Sequence, residues 1–104
     1  MKVKLKAKFI EEDEYTIIKS TYRTNGAIAL TAKDSEGFPA FTITTNLEVS
    51  IPEGYIAVKH YSENEGLVQA LIEADIIESI PLRFIQSGFV EIPVHKLTAK
   101  GLSI

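Results

Sequence analysis

A chain of 104 residues with 45% hydrophobic and 24% charged residues has a globular composition and suits one domain, residues 1–104, not a disordered polymer. It contains no cysteine, which excludes disulfides, thiolate metal centres and cysteine nucleophiles. Its formal net charge of −3 argues against binding driven by phosphate neutralisation. No apolar run approaches the roughly 20 residues of a membrane helix, so a cytoplasmic protein with no membrane attachment is expected.

The N-terminal stretch MKVKLKAKFI alternates without a break. Val3, Leu5, Ala7 and Phe9 face one way, and Lys2, Lys4, Lys6 and Lys8 the other, the period of a strand with one buried face. Lysine at every second position leaves no apolar stretch of the kind a signal peptide needs. The four lysines can be read as a basic stripe for a polyanion or as a solvated sheet face that discourages edge-to-edge association. The second reading is favoured, because EEDE at 11–14, expected as a turn, cancels the local charge.

YTIIKSTY (15–22) reads as a second strand from its β-branched and aromatic content. Asn25-Gly26 predicts a tight type I′ hairpin turn, and a third strand follows over about 27–32. KDSEGFP (33–39) supplies the next reversal, and strand four begins near Ala40. Phe41, Ile43, Thr45, Leu47, Val49 and Ile51 share one parity, as one long strand or two short ones. PEG (52–54) closes this section, and YIAVKH (55–60) reads as another strand.

In KHYSENEGLVQAL (59–71), Ser62 and Glu65 have capping-box spacing, which predicts a helix over about 62–75 with Leu67, Leu71 and Ala74 on its inner face. Gly66 would then cost about 1 kcal/mol relative to alanine inside the first turns, and Asn64 is the alternative cap. Past the helix, two short β-rich runs flank QSG (86–88) as a second hairpin. Pro93 has no N–H for a ladder, so its strand is expected at an edge or with a bulge. TAKGLSI (98–104) carries no clear pattern.

Chemistry-bearing residues are few. His60 and Glu63 form H-x-x-E, a general-base or metal-ligand spacing that lacks the second histidine of the zinc-protease motif. His95 lies in a strand pattern, and nothing in the spacing requires the two histidines to meet. No serine sits in a nucleophile-elbow context, and the glycines form neither a P-loop nor a dinucleotide fingerprint. No enzyme, catalytic residue, cofactor or metal is expected.

Three segments carry a resemblance: NGAIALTAKDSEGFPAFTITTNL (25–47), YIAVKHYSENEGLVQALIEADII (55–77) and GFVEIPVHKL (88–97). Asn25-Gly26, Gly37, Thr44 to Leu47, Lys59, Glu63-Asn64-Gly66 and Gly88 to Val94 together resemble a family of small bacterial and phage proteins. That family is classed as a domain of unknown function and found on prophages, plasmids and conjugative elements. The proline-containing GFP at 37–39 and the extra polar residue in TTNL depart from its pattern. The resemblance implies a mobile-element setting and supports the fold, but supplies no activity.

These readings converge on an α+β fold: a mainly antiparallel sheet of five to seven strands with one helix packed on one face. Val3, Leu5, Phe9, Ile28, Leu30, Phe41, Ile43, Ile56, Val58, Leu67, Leu71, Val90 and Ile92 are expected in the core. The expected function is that of a non-enzymatic accessory protein of a phage or mobile element. It would bind a protein partner and so modulate or inhibit a host defence or regulatory factor. Its expected contact surface is Asn46, Lys59, His60, Tyr61, Glu63 and Asn64. The alternative is a nucleic-acid contact through the Lys2, Lys4, Lys6 and Lys8 face, although the acidic balance makes nucleic acid the weaker partner. Pro93 and the 41–51 stretch are two places that could support pairing between chains.

Overall fold

In the computed structural model of residues 1–104, the lysine-spaced segment forms β1 (Lys2–Ala7), which turns at Lys8-Phe9 into β2 (Ile10–Thr21). Val3 and Leu5 are buried while Lys2, Lys4 and Lys6 face solvent. The acidic run is not a turn: Asp13 and Glu14 pair with Leu5 and Lys4 inside β2. Between Leu5 and Ala7 the register slips by one residue, a bulge on β2. It lets Ile10 and Tyr15, of opposite parity, share the buried face. Phe9 leaves the core because the strand has already ended: it stands in the turn, and the ring is 63% exposed beneath the Lys8 ammonium.

β3 (Ile28–Lys33) and β4 (Pro39–Thr42) complete a four-stranded antiparallel sheet in the order β1-β2-β3-β4. The Asn25-Gly26 pair lies in a four-residue loop, not a two-residue turn. Tyr22 N–H donates to the Ala27 carbonyl, and Gly26 N–H donates to the Tyr22 carbonyl. Only Gly26 has positive φ, while the Asn25 amide is drawn across to Leu47 O and Asn46 Oδ1. The shared parity over 41–51 also fails. Ile43 and Thr44 are both buried, Thr44 makes a single bridge to Val58, and no strand follows it before Tyr55.

β5 (Tyr55–Ala57), β6 (Arg83–Ser87) and β7 (Val90–Lys96) form a second antiparallel sheet in the order β5-β7-β6. The seven strands and the α+β class match expectation, divided between two sheets. These meet where Lys59 N–H donates to Ile43 O and Thr45 N–H donates to Ala57 O. β6 and β7 join through Gly88-Phe89, the expected hairpin. Pro93 corrects the edge-strand expectation, because β7 is the central strand. Its missing donor faces Val58, just past the end of β5, and Val58 N–H still donates to Pro93 O. The ladder therefore omits one bond where it was about to end.

α1 (Leu67–Glu73) packs against β1, preceded by a 3-10 turn at Ser62–Asn64. The capping box does not form. Ser62 has φ of 54°, its backbone carbonyl rather than its hydroxyl receives the Glu65 N–H, and the Glu65 carboxylate pairs with Lys8 at 3.1 Å. Gly66, at φ 88°, is the N-cap of α1, a conformation glycine reaches without a Cβ penalty. At the other end Ile76 N–H donates to Leu71 O and Asp75 N–H to Ile72 O, a Schellman closure with Asp75 in the left-handed region. The patternless tail forms α2 (Ala99–Leu102), capped by the Thr98 hydroxyl, which accepts from Gly101 N–H.

The main core combines β1–β3, Ile43, Ile56, Val58 and α1. A smaller cluster of Leu47, Ala57, Ile85, Ile92 and Val94 covers the opposite face of the second sheet. Of the expected core residues, Ile28, Phe41 and Val90 are only partly buried. No helix is long and apolar enough to cross a membrane.

Candidate functional site

Five of the six expected surface residues gather where β5 hands over to α1. Lys59 Nζ lies 2.6 Å from Glu63 Oε1 and 5.8 Å from the Tyr61 ring centroid. The hydrogen bond to Glu63 raises the Lys59 pKa, and the same bond holds the Glu63 carboxyl below its ordinary value. Asn64 is not a contact residue: it is fully buried. Its Nδ2 donates to Thr42 O and Lys59 O, tying the 3-10 turn to the end of β4. These two carbonyls fix the amide orientation and leave Oδ1 buried without a donor. The cluster thus holds the junction together, with Lys59, Tyr61 and Glu63 partly or fully exposed above it.

The two histidines are engaged separately. His60 Nε2 lies 2.7 Å from Glu91 O, and buried His95 has Nδ1 2.8 Å from Glu78 O. Glu63 is spent on Lys59, so the H-x-x-E spacing does not become a histidine–carboxylate pair. No three His, Asp or Glu side chains are grouped closely enough to hold a metal ion. The lysine face is interleaved with acids: Lys4 pairs with Glu12 at 3.9 Å and lies opposite Glu14 across the ladder. A phosphate backbone laid there would meet both signs of charge.

Asn46 stands apart from the other five. Its Oδ1 accepts from Asn25 Nδ2 and its Nδ2 donates to Thr24 Oγ1, so it braces the 23–26 loop. That loop forms one wall of an open cleft of about 1190 Å³, whose other wall is the 50–55 segment. Lys19 and Arg23 line it without a carboxylate within 4 Å, while Ile51, Tyr55 and Leu102 supply apolar surface. Glu53 is its one acid. Sequence reasoning passed over Lys19 and Arg23. They are visible as two cations flanking the hairpin loop, but the facing wall comes some thirty residues later, and the bonds from Thr24 and Asn25 to Asn46 and Leu47 bring the two regions together.

The cleft can accept a segment that offers an acidic group to Lys19 and Arg23 and an apolar group to Ile51 and Leu102. No family model, curated protein or solved structure matches the chain.

Proposed function

We propose that this chain is a non-enzymatic accessory protein of a phage or mobile element that acts by binding another protein, modulating or inhibiting a host defence or regulatory factor. The observation that carries the binding role is the cleft between the 23–26 loop and the 50–55 segment, with Lys19 and Arg23 unpaired in a chain of net acidic charge. Two unpaired cations beside partly exposed apolar side chains suit recognition of an acidic, partly apolar protein segment. The mobile-element setting rests on the resemblance carried by Asn25-Gly26, Thr44 to Leu47, Glu63-Asn64-Gly66 and Gly88 to Val94. In this reading Asn46 keeps the cleft's loop in place, and Lys59, Tyr61 and Glu63 mark the junction at the start of α1.

The test is affinity capture from a bacterial host lysate with wild type and a Lys19→Glu/Arg23→Glu double variant side by side. A protein retained by the wild type and lost by the variant supports the reading. Identical sets of captured proteins would overturn it.

A further inference from the structure

The two outer edges of the strand array are built differently. At one end, β1 displays Lys2, Lys4 and Lys6, charges that oppose pairing with another strand. At the other end lies β6, and residues 80–89, IPLRFIQSGF, hold a single charge, Arg83. Around it Ile80 is 81% exposed, Leu82 50%, Phe84 57% and Phe89 105%. The inner strands β4 and β5 are short, four and three residues, and are linked just past their ends by the Thr44–Val58 bridge. β6, five residues long, is therefore the longest edge that is neither paired nor guarded by a row of lysines.

We propose that β6 is a homodimer interface, in which two copies pair this strand antiparallel about a two-fold axis. The product is a six-stranded sheet in the order β5-β7-β6-β6-β7-β5. Three features select a second copy as the occupant. Aromatic side chains carry on the order of 150–250 Å² each, so the four exposed apolar residues present roughly 500 Å² per copy, at the upper end of what a monomer leaves bare. Adding the strand's main chain approaches the about 800 Å² per partner of a stable complex.

Charge permits self-pairing as well. With the axis at Ile85, Arg83 falls opposite Ser87 of the second copy and Phe84 opposite Gln86, so no like charges meet. The two Phe84 rings then lie diagonally across the axis, within reach of one another. Finally, a two-fold contact is self-complementary, so pairing uses up the β6 edge of both copies at once while the β1 edge stays guarded by lysine. The assembly closes at two copies and does not grow into a filament.

The test is sedimentation equilibrium over a concentration series. Wild type should run at twice its 11.5 kDa chain mass. Phe84→Lys and Phe89→Ser should each shift the species toward monomer, with self-association weakened about thirtyfold or more by the loss of an anchoring aromatic. Phe38→Lys, a change to an exposed aromatic in the 33–39 turn, should leave the dimer intact. Circular dichroism checks that each variant keeps its fold, and if Phe84→Lys does not, Phe89→Ser at the turn tip decides. A monomeric wild type overturns the proposal, as does open-ended growth with concentration, or a dimer unaffected by the folded β6 variants. None of these results bears on the Lys19 and Arg23 cleft, which the capture experiment tests by itself.

Discussion

Gly101→Ala sets two physical effects against each other with opposite signs. Alanine is the better helix former by about 1 kcal/mol, so propensity alone predicts that the change strengthens α2. The packing predicts the reverse. A Cβ at Gly101 would lie 2.2 Å from Ile76 O and 3.0 Å from Leu97 Cδ2, where ordinary contact begins near 3.4 Å. The obstructing atom is backbone, and it already accepts from Thr98 N–H at 3.0 Å and from the Thr98 hydroxyl at 3.2 Å. Relief requires α2 to retreat by about 1 Å, at an overpacking cost of about 1–3 kcal/mol. It also weakens hydrogen bonds worth about 1 kcal/mol each. After the propensity gain is subtracted, the net expectation is a loss of about 1–4 kcal/mol, or roughly 5–20 °C in Tm for a domain of this size. Urea and thermal denaturation followed by circular dichroism measure it directly. A midpoint equal to or above wild type would show that α2 does not seat as closely as described.

Asp75→Gly should stabilise by about 0.5–1 kcal/mol, because it relieves a left-handed non-glycine residue and removes a negative charge from the C-terminal end of α1; a lowered urea midpoint would contradict this. Asn64→Ala should cost about 2–3 kcal/mol by leaving Thr42 O and Lys59 O without their donor, and a change below about 0.5 kcal/mol in the same assay would refute it. Asp13 is held below its ordinary 3.8, chiefly by the Ser35 N–H, then by the Glu14 N–H and the Ser35 hydroxyl. A lowered folded pKa stabilises above the unfolded value, and that gain disappears as pH falls through the folded value. Asp13→Asn should therefore be less stable than wild type at about pH 7 and converge with it by about pH 2; a gap that persists unchanged in acid would exclude the assignment. Glu63 adds to the same acid limb, whereas Lys59, raised by that carboxylate, loses its contribution as pH climbs above its ordinary 10.5.

Much of the fold was legible because side-chain alternation reports burial directly. Val3 and Leu5, the strand after Asn25-Gly26 and the Gly88 hairpin follow from local pattern alone. The errors fall where a distant residue overrides that pattern. Phe9 obeys the alternation, but β1 ends at Ala7 and the turn to Ile10 carries the ring out of the sheet. Ser62 and Glu65 have the right spacing for a cap, yet Asn64 is drawn inward by Thr42 O, and the turn it enforces carries Ser62 out of register with the helix. Pro93 reads as an edge residue because sequence does not reveal that its neighbour, β5, stops at Ala57. In the tail, Thr98 was a usable N-cap signal, although the close approach of Gly101 to Ile76 was not visible. Lys59, Tyr61 and Glu63 do lie together because they are near in sequence, whereas the cleft joins residues 19–28 to 50–55 and needed the folded chain.

The central position of β7 also governs the order of events during synthesis. β1 to β4 are neighbours in sequence as well as in space, so each strand emerging from the ribosome finds its predecessor waiting. Tyr55, by contrast, pairs with Lys96, and β5 and β6 have no contact to share until β7 slides between them. A nascent chain halted before Val90 would carry Ile85 without Ile92 and Val94, and Tyr55, Ile56 and Ala57 without their ladder partners. Completion of this half of the molecule is therefore a late, concerted event, and unfinished chains are natural clients for chaperones and proteases.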